Sequence, residues 1–591
     1  MILIRKISYI AGLLAIAFLS NFCANVVAPS GGPKDVTPPE ILEMDPDNKS
    51  TNFTNDKFEI TFNEYVQLKD VNQSLLISPP LKEKPEIKMR SKTVIVTLSK
   101  EDTLRDNTTY IFNFGNSIVD LNEGNELEDF IYVVSTGENI DSLRIEGSVM
   151  NAFDNKAIEE GLVMLYRNAT DSTPMLRKPD YLARIIDGSF VITNLTEGEY
   201  SIFCLVDENR NMLFDLPTEK VAFLDSLIIP RAISKLVTDT IEVFDSTSAD
   251  SVTYDSIIQY RSTKFFPKAL DLFLFEEEFH KQFLSVKERP EKWRLFFQFS
   301  EPVDTLFQLE LTEEKSKQDW YIEEFSINRD SISIWINDSI LYNKDSLEVI
   351  LSFPETDTTN TLVLSKDTIV FTISKNMDNK KVSQPNIKID TLTIENNINT
   401  PFHTYKNIHI TASHPILKVD TSRIKLFTIQ DSIESEIKYN LIYDSLNQRK
   451  LELSFEIQPD TKYKLITDST AFTDIYGFSS DSSASIFTSQ TKDFYSSIIV
   501  HPDTTEKQLI IQLLNTKESV LHEHVILPGD SCKFENISPG SYMIKAIFDE
   551  NSNGKWDTGK YIEKKQAEKV YYYPQSIETK SGWDNKIDLK F

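Results

Sequence analysis

Cysteine is nearly absent. The 591 residues contain three, Cys23, Cys204 and Cys532, with no CxxC pair. This excludes a disulfide framework and gives no support to a structural zinc site, since both need cysteines in sets. Histidine is almost as scarce, with seven scattered copies, and no GxSxG, HExxH or P-loop stretch occurs. Esterase, zinc-protease and nucleotide-hydrolysing chemistries therefore have no signature here. Beyond the first twenty residues no apolar run reaches the roughly 18 residues that a membrane-spanning helix needs. Basic residues are outnumbered, 62 against 90 acidic, giving a net charge of −28. Such a surface repels phosphate backbones, so nucleic acid is not expected as a partner. Glycine is sparse too, at 16 residues, against 37 Phe and 22 Tyr.

What remains is a strand-forming composition. Apolar residues make up 40% of the chain and aromatics 11%, which is normal for folded protein and argues against wholesale disorder. A chain this long exceeds one hydrophobic core, and four to six domains of about 100 residues are expected. Segments such as FEITFNEYV and TVIVTL alternate apolar and polar residues, the period of a half-buried strand.

Two kinds of internal repeat organise the chain. In the first, Phe190, Asn194, Leu195, Gly198 and Tyr200 precede the loop DENRNMLFD at 207–215, while Phe534, Asn536, Ile537, Gly540 and Tyr542 precede DENSNGKWD at 549–557. In the second, ITFNEYV at 60–66 is echoed by FQFSEPV at 297–303 and ITASHPI at 410–416. The stretch around Tyr110 and Asp120 is likewise echoed around Tyr463 and Asp474. The expected fold class is all-β, a series of tandem β-sandwiches, with seven strands in the module that opens at 138.

Pro38-Pro39, ITFNEYV and NTTYIFNFGNSIVDLNEGN together resemble the bacterial Ig-like domain of S-layer proteins, over 36–137. The G-x-F, I-x-N-L and G-x-Y pattern of 138–245 and of 491–591 resembles the transthyretin-like, carboxypeptidase-regulatory β-sandwich. Residues 263–378 and 383–490 read as diverged Ig-like copies, and the Ser/Asp/Thr-rich stretch 246–262 reads as a linker. Cys204 lies in the apolar run YSIFCLV where the other repeat has Ala546, which makes it a small core residue.

The N-terminus carries an address. Arg5 and Lys6 precede an apolar run from Ile7 to Leu19, the pattern of an export signal over 1–22. A cysteine just after that core resembles the lipobox of bacterial lipoproteins, although Asn21 and Phe22 depart from the usual small residues. The resemblance implies cleavage, acylation of Cys23, and a lipidated tether over 23–35. The architecture as a whole resembles outer-membrane lipoproteins of the Bacteroidota. That implies a lipid-anchored, surface-exposed chain held in the outer membrane through Cys23, with envelope proteins or glycans as partners and no established catalysis. An accessory subunit of a secretion or barrel-assembly complex is the alternative, and a carbohydrate-active protein a third reading.

Candidate sites are few. The loop 549–557 places Asp549, Asn551, Asn553 and Asp557 at the spacing of the first part of an EF-hand loop, with Gly554 at the sharp turn and Lys555 within the set. Asp207, Asn209, Asn211 and Asp215 repeat the pattern, with Glu219 nearby and Met212 in place of the glycine. Calcium is the cation such oxygens would take. The alternative is a hairpin closed by its own Asx turns. His522 and His524 fall on one face of an expected strand without a third ligand. The acidic pairs Glu276-Glu277-Glu278, Glu313-Glu314 and Glu323-Glu324, and the aromatics Trp320-Tyr321, Trp556 and Trp583, read as surface and core respectively.

Overall fold

The structure, a computed structural model, describes residues 35–244, 253–303, 307–313, 319–358, 361–373, 392–444, 446–503 and 506–591. The export signal, Cys23, the tether up to residue 34, Glu314 and the boundary at 378–383 lie outside the described residues. Contacts divide the chain into two compact units. One holds the residues up to Asn151 together with Lys156–Leu274, the other Ala152–Asn155 and Phe275–Phe591.

The chain is all-β in tandem sandwiches, and among the described residues helix is confined to single turns such as Val71–Ser74. In the first module the strands Ile41–Asp45, Lys57–Phe62, Thr93–Thr97 and Glu86–Arg90 form one sheet in that order, facing Leu76–Ser78, Thr109–Gly115 and Phe130–Ser135. The alternation in KFEITF is read out as burial: Phe58, Ile60 and Phe62 are fully buried while their neighbours reach solvent. Phe58 stacks on Tyr132 at 4.1 Å and meets the edge of Phe112 at 4.9 Å. A short third pair, Val66–Leu68 with Ile118–Asp120, closes one end.

The module of 392–490 repeats this plan with one added strand, Ile433–Ile437. Its sheets are Ile394–Asn396, Ile408–Ala412, Lys450–Ser454, Asn440–Tyr443 and Ile433–Ile437, Ile424–Gln430, Lys462–Thr467, Ser483–Thr488, with Ile416–Val419 pairing Phe472–Asp474. Equivalent residues make equivalent bonds. The Tyr110 hydroxyl accepts from Arg105 N at 2.8 Å and the Tyr463 hydroxyl from Gln458 N at 2.8 Å, each five residues upstream. Asp120 caps the N–H groups of Asn122 and Glu123, and Asp474 those of Tyr476 and Phe478. The module between them has the two main sheets, Leu284–Glu291, Arg294–Phe299, Ser331–Ile336, Tyr321–Phe325 and Gln308–Leu311, Ser346–Thr356, Leu362–Thr372.

The second sandwich type closes differently. In the last module, strand Ser496–Pro502 pairs antiparallel with Cys532–Ile537 and parallel with the final strand Asp584–Leu589. In the upstream copy, Leu143–Asn151 pairs antiparallel with Ser189–Leu195 and parallel with Leu270–Glu276. This corrects two sequence expectations. The module that begins at 138 does not end at 245, because its closing strand is Leu270–Glu276. Nor is 246–262 a linker throughout, because Thr253–Phe266 pairs over its whole length with Arg231–Phe244 as a two-stranded ribbon of 14 residues a side. The stretch reads as linker from its Ser, Thr and Asp content, which masks the strand pairing. Seven strands nevertheless form the module, in the order Tyr181–Arg184, Leu162–Tyr166, Ser201–Leu205, Lys220–Phe223, Leu270–Glu276, Leu143–Asn151, Ser189–Leu195. Cys204 is fully buried in its core, and burial pushes its thiol far above the ordinary value.

Candidate functional site

Each repeated loop follows a strand that begins at or just after the Gly-x-Tyr motif, Ser201–Leu205 upstream and Gly540–Asp549 downstream, and both are built from the same hydrogen bonds. Asp549 is 1% exposed at the end of its strand; Oδ1 accepts from Asn553 N at 3.1 Å and Oδ2 from Gly554 N at 2.8 Å. Upstream, Asp207 Oδ1 accepts from Asn211 N at 3.1 Å and Oδ2 from Met212 N at 2.8 Å. Asn551 and Asn553 both donate amide N–H groups to Asp557, as Asn209 and Asn211 do to Asp215. Lys555 takes part through its backbone, donating its N–H to Asn553 Oδ1 at 2.9 Å. The structure thus brings the predicted residues of each loop together, in a web of Asx turns.

Sequence reasoning placed Glu219 near the upstream loop but missed Glu568 beneath the downstream one. Glu568, 3% exposed, accepts from Glu550 N at 2.8 Å and from Asp557 N at 3.0 Å. Glu219, fully buried, accepts from Glu208 N, Asp215 N and Leu216 N. Burial pushes both carboxyls above the usual range. The neighbouring Asp557 and Asp549 add to the rise at Glu568, Asp207 adds to it at Glu219, and the backbone N–H groups pull each partly back. Trp556 folds over the outer sheet face with Ile510, Ile547, Val570 and Tyr572, and its Nε1 donates to Glu568 O at 2.9 Å. Among the described residues, no group of three or more His, Cys, Asp or Glu side chains is arranged to hold a metal ion.

The two loops differ at one backbone position. Gly554 has φ +78°, and Met212 holds φ 64° at the equivalent place. A left-handed residue with a Cβ costs about 1–2 kcal/mol, so Met212→Gly is expected to raise the stability of the first unit by about 1 kcal/mol. Urea unfolding of the two proteins side by side checks it, and an unchanged midpoint means that the turn carries no strain.

The other candidates resolve into structural roles. His522 and His524 both lean on Phe534, at ring distances of 6.3 and 5.0 Å, at the edge of the sandwich. Burial, then the neighbouring His524, holds His522 below the ordinary imidazole range. Trp320 is buried in the core of its module, Trp583 is half exposed under Lys580, and Trp556 is the loop cover already described. The acids of the pairs are engaged singly: Glu277 accepts from Tyr561 N, Glu278 pairs with His280 at 2.9 Å, and Glu313 with Lys344 at 2.7 Å.

Glu324 anchors the most densely bonded site of the second unit. Its Oε2 accepts from Arg449 Nε at 2.7 Å and Trp335 Nε1 at 2.8 Å; its Oε1 accepts from Arg449 Nη2 at 2.6 Å and Asn447 Nδ2 at 2.9 Å. Burial alone would raise this carboxyl, but the hydrogen bonds and charge of Arg449 outweigh it and hold the group below the usual range. Beside it Trp293 stacks on Tyr476 at 5.1 Å and meets His414 edge-on at 4.8 Å, and His414 Nδ1 lies 2.8 Å from the buried Asp474. The two adjacent Ig-like modules share these side chains, so their joint is a packed, polar-aromatic seam.

Residues 35–135 match the bacterial Ig-like domain family. No curated protein matches the chain in sequence. Among solved structures, the alpha-2-macroglobulin of Escherichia coli aligns at 11% identity and TM-score 0.18 over 45% of this chain and 92% of its own. The surface layer protein SbsC aligns at 10% identity and TM-score 0.13 over 88% of this chain and 67% of its own. The major pilin subunit BcpA of Bacillus cereus aligns at 9% identity and TM-score 0.14 over 76% and 99%. At these identities and scores no function passes from them to this chain.

Proposed function

We propose that this chain is a non-catalytic surface module of the cell envelope, anchored in the outer membrane by acylated Cys23, with binding, spacing or assembly of envelope proteins or glycans as its role. The observation that carries the reading is the way the internally repeated bond patterns are used. The recurring Tyr, Asp and Asn side chains close turns and seams, as at Tyr110 and Tyr463 or Asp207 and Asp549, and do not converge on a cleft. The described part of the chain has no helix long and apolar enough to cross a membrane. The acyl chains on one cysteine supply the attachment in this reading.

The test is fractionation of cells that express the native chain and Cys23→Ser. The native chain is expected in the outer-membrane fraction, labelled by a radioactive fatty acid, and the variant unlabelled and released. An unlabelled native chain overturns the anchor. Crosslinking in the same membranes identifies the partner class, and recovery of one stoichiometric barrel protein would replace the free-standing module with a fixed subunit of a machine.

Calcium at the two loops belongs to the same proposal. The Asn amide groups now donate to Asp215 and Asp557, so a cation would need them turned to present oxygen. With two aspartates each at the ligand positions, a dissociation constant of about 10⁻⁴ M or weaker is expected. Titration calorimetry with calcium, repeated on Asp549→Ala, measures it. Absence of any heat up to millimolar calcium leaves the loops as hairpins closed by their own bonds.

A further inference from the structure

The strand Val520–Ile526 reads VLHEHVI, a sequence of apolar, His and acidic positions that is the same in both directions about Glu523. It is the outermost strand of its sheet. One side pairs with Gln508–Leu514, and among the described residues the other edge has no ladder partner. Phe534 of the facing sheet lies against the rings of His522 and His524, at 6.3 and 5.0 Å, so that contact is made on the inner face of the strand and not along its edge. Both histidines are exposed, and Val520 is 50%, Leu521 46% and Val525 48% accessible. An open edge with exposed apolar side chains is a template for another strand.

Alternation puts His522 and His524 on one face and Leu521, Glu523 and Val525 on the other. Two imidazoles are half of a tetrahedral zinc site, and among the described residues no third ligand stands with them. The symmetry of the strand supplies the other half. If the edge pairs antiparallel with its twin about a twofold axis at Glu523, His522 of each copy stands opposite His524 of the other. Opposed side chains have Cβ atoms about 5 Å apart, and residues two apart on a strand are about 6.6 Å apart. Four imidazoles then surround the axis on one face.

We propose that Val520–Ile526 is a zinc-dependent docking edge, with one zinc ion on the twofold axis held by His522 and His524 of two copies of this chain. On the opposite face Leu521 meets Val525 of the second copy, twice. Glu523 meets its own twin, and like charges opposed across a ladder are destabilising. Its Oε2 accepts from Gln512 Nε2 at 2.7 Å, which draws the carboxylate toward its own sheet and away from the axis. That opposition, added to the repulsion between two chains of net charge −28, keeps the copies apart until the cation binds. The contact is isologous, so it closes as a dimer and does not propagate. It uses neither the acyl group on Cys23 nor the two Asp/Asn loops, and it stands or falls separately from both.

Sedimentation velocity of the purified full chain in detergent, with EDTA and with stoichiometric zinc chloride, reads the association. A monomer in EDTA and a dimer in zinc are expected, and titration calorimetry should give one zinc per two chains. His522→Ala and His524→Ala each remove two of the four ligands, so each should abolish the zinc-driven dimer. Both side chains are exposed, and an unchanged urea midpoint verifies that the variants remain folded. Glu523→Gln removes the opposed charges on the axis and should tighten the zinc-driven dimer by about threefold. A native chain that stays monomeric in zinc overturns the inference. So does a zinc-driven dimer that survives both histidine substitutions, or one that Glu523→Gln leaves no tighter, since the axis then lies elsewhere.

Discussion

Glu324→Ala is expected to destabilise the second unit by about 3 kcal/mol, because removing one partner of a buried ion pair leaves the other charge without compensation. Glu324 receives four hydrogen bonds, three of them from the neighbouring module, and the Glu324 and Arg449 side chains are 12% and 22% exposed. The remaining exposure of Arg449 sets the estimate at the low end of the range for buried pairs. Denaturant unfolding gives the loss, and hydrogen exchange at 293–296 and 474–478 shows whether the seam opens first. Glu324→Gln, which keeps an acceptor but loses the charge, is expected to fall between the two. The carboxyl is held below its unfolded value, so its contribution is complete above the ordinary carboxylate range. It disappears as the pH falls through the lowered folded value. A loss under about 1 kcal/mol in the alanine variant would place the pair among ordinary surface ion pairs.

Gly147→Ala is expected to detach the closing strand of the upstream seven-stranded module. A Cβ at Gly147 would lie 2.1 Å from the Leu270 carbonyl oxygen and 2.7 Å from the Phe190 ring. The ring can turn, but the carbonyl belongs to the strand that pairs with Gly147 in parallel, and it moves only if the strand moves. Overpacking usually costs about 1–3 kcal/mol, and a clash with backbone exceeds that range. Loss of Leu270–Glu276 would also uncover Leu272 and Leu274, both fully buried. Limited proteolysis after residue 266, compared with the native chain, reads the detachment. Equal protection in the two proteins would show that the ladder absorbs the methyl group.

The sequence made the fold class and the repeats legible because short strands announce themselves locally. KFEITF alternates as it is buried, and the Tyr and Asp positions recur at matching distances from their turns. The members of the two loops were legible for the same reason, since Asp207 and Asp549 reach only four or five residues ahead. Glu219 was legible because it lies only four residues past Asp215, whereas Glu568 escaped because it lies eleven past Asp557. The closing strand at 270–276 was hidden behind an inserted ribbon whose Ser, Thr and Asp content imitates a linker. The Trp293–Tyr476 stack and the Glu324–Arg449 pair join segments more than a hundred residues apart, and each of these residues taken alone is an unremarkable strand position.

The parallel closure of the two sandwiches that carry the Gly-x-Tyr motif has a mechanical consequence. Their first and last strands run the same way, Gly147–Asn151 beside Leu270–Leu274 and Ser497–Pro502 beside Asp584–Leu589. The chain consequently enters at one end of such a module and leaves from the other. Tension applied between entry and exit slides these neighbours past each other, so the rungs between them are loaded together in shear instead of being peeled apart one by one.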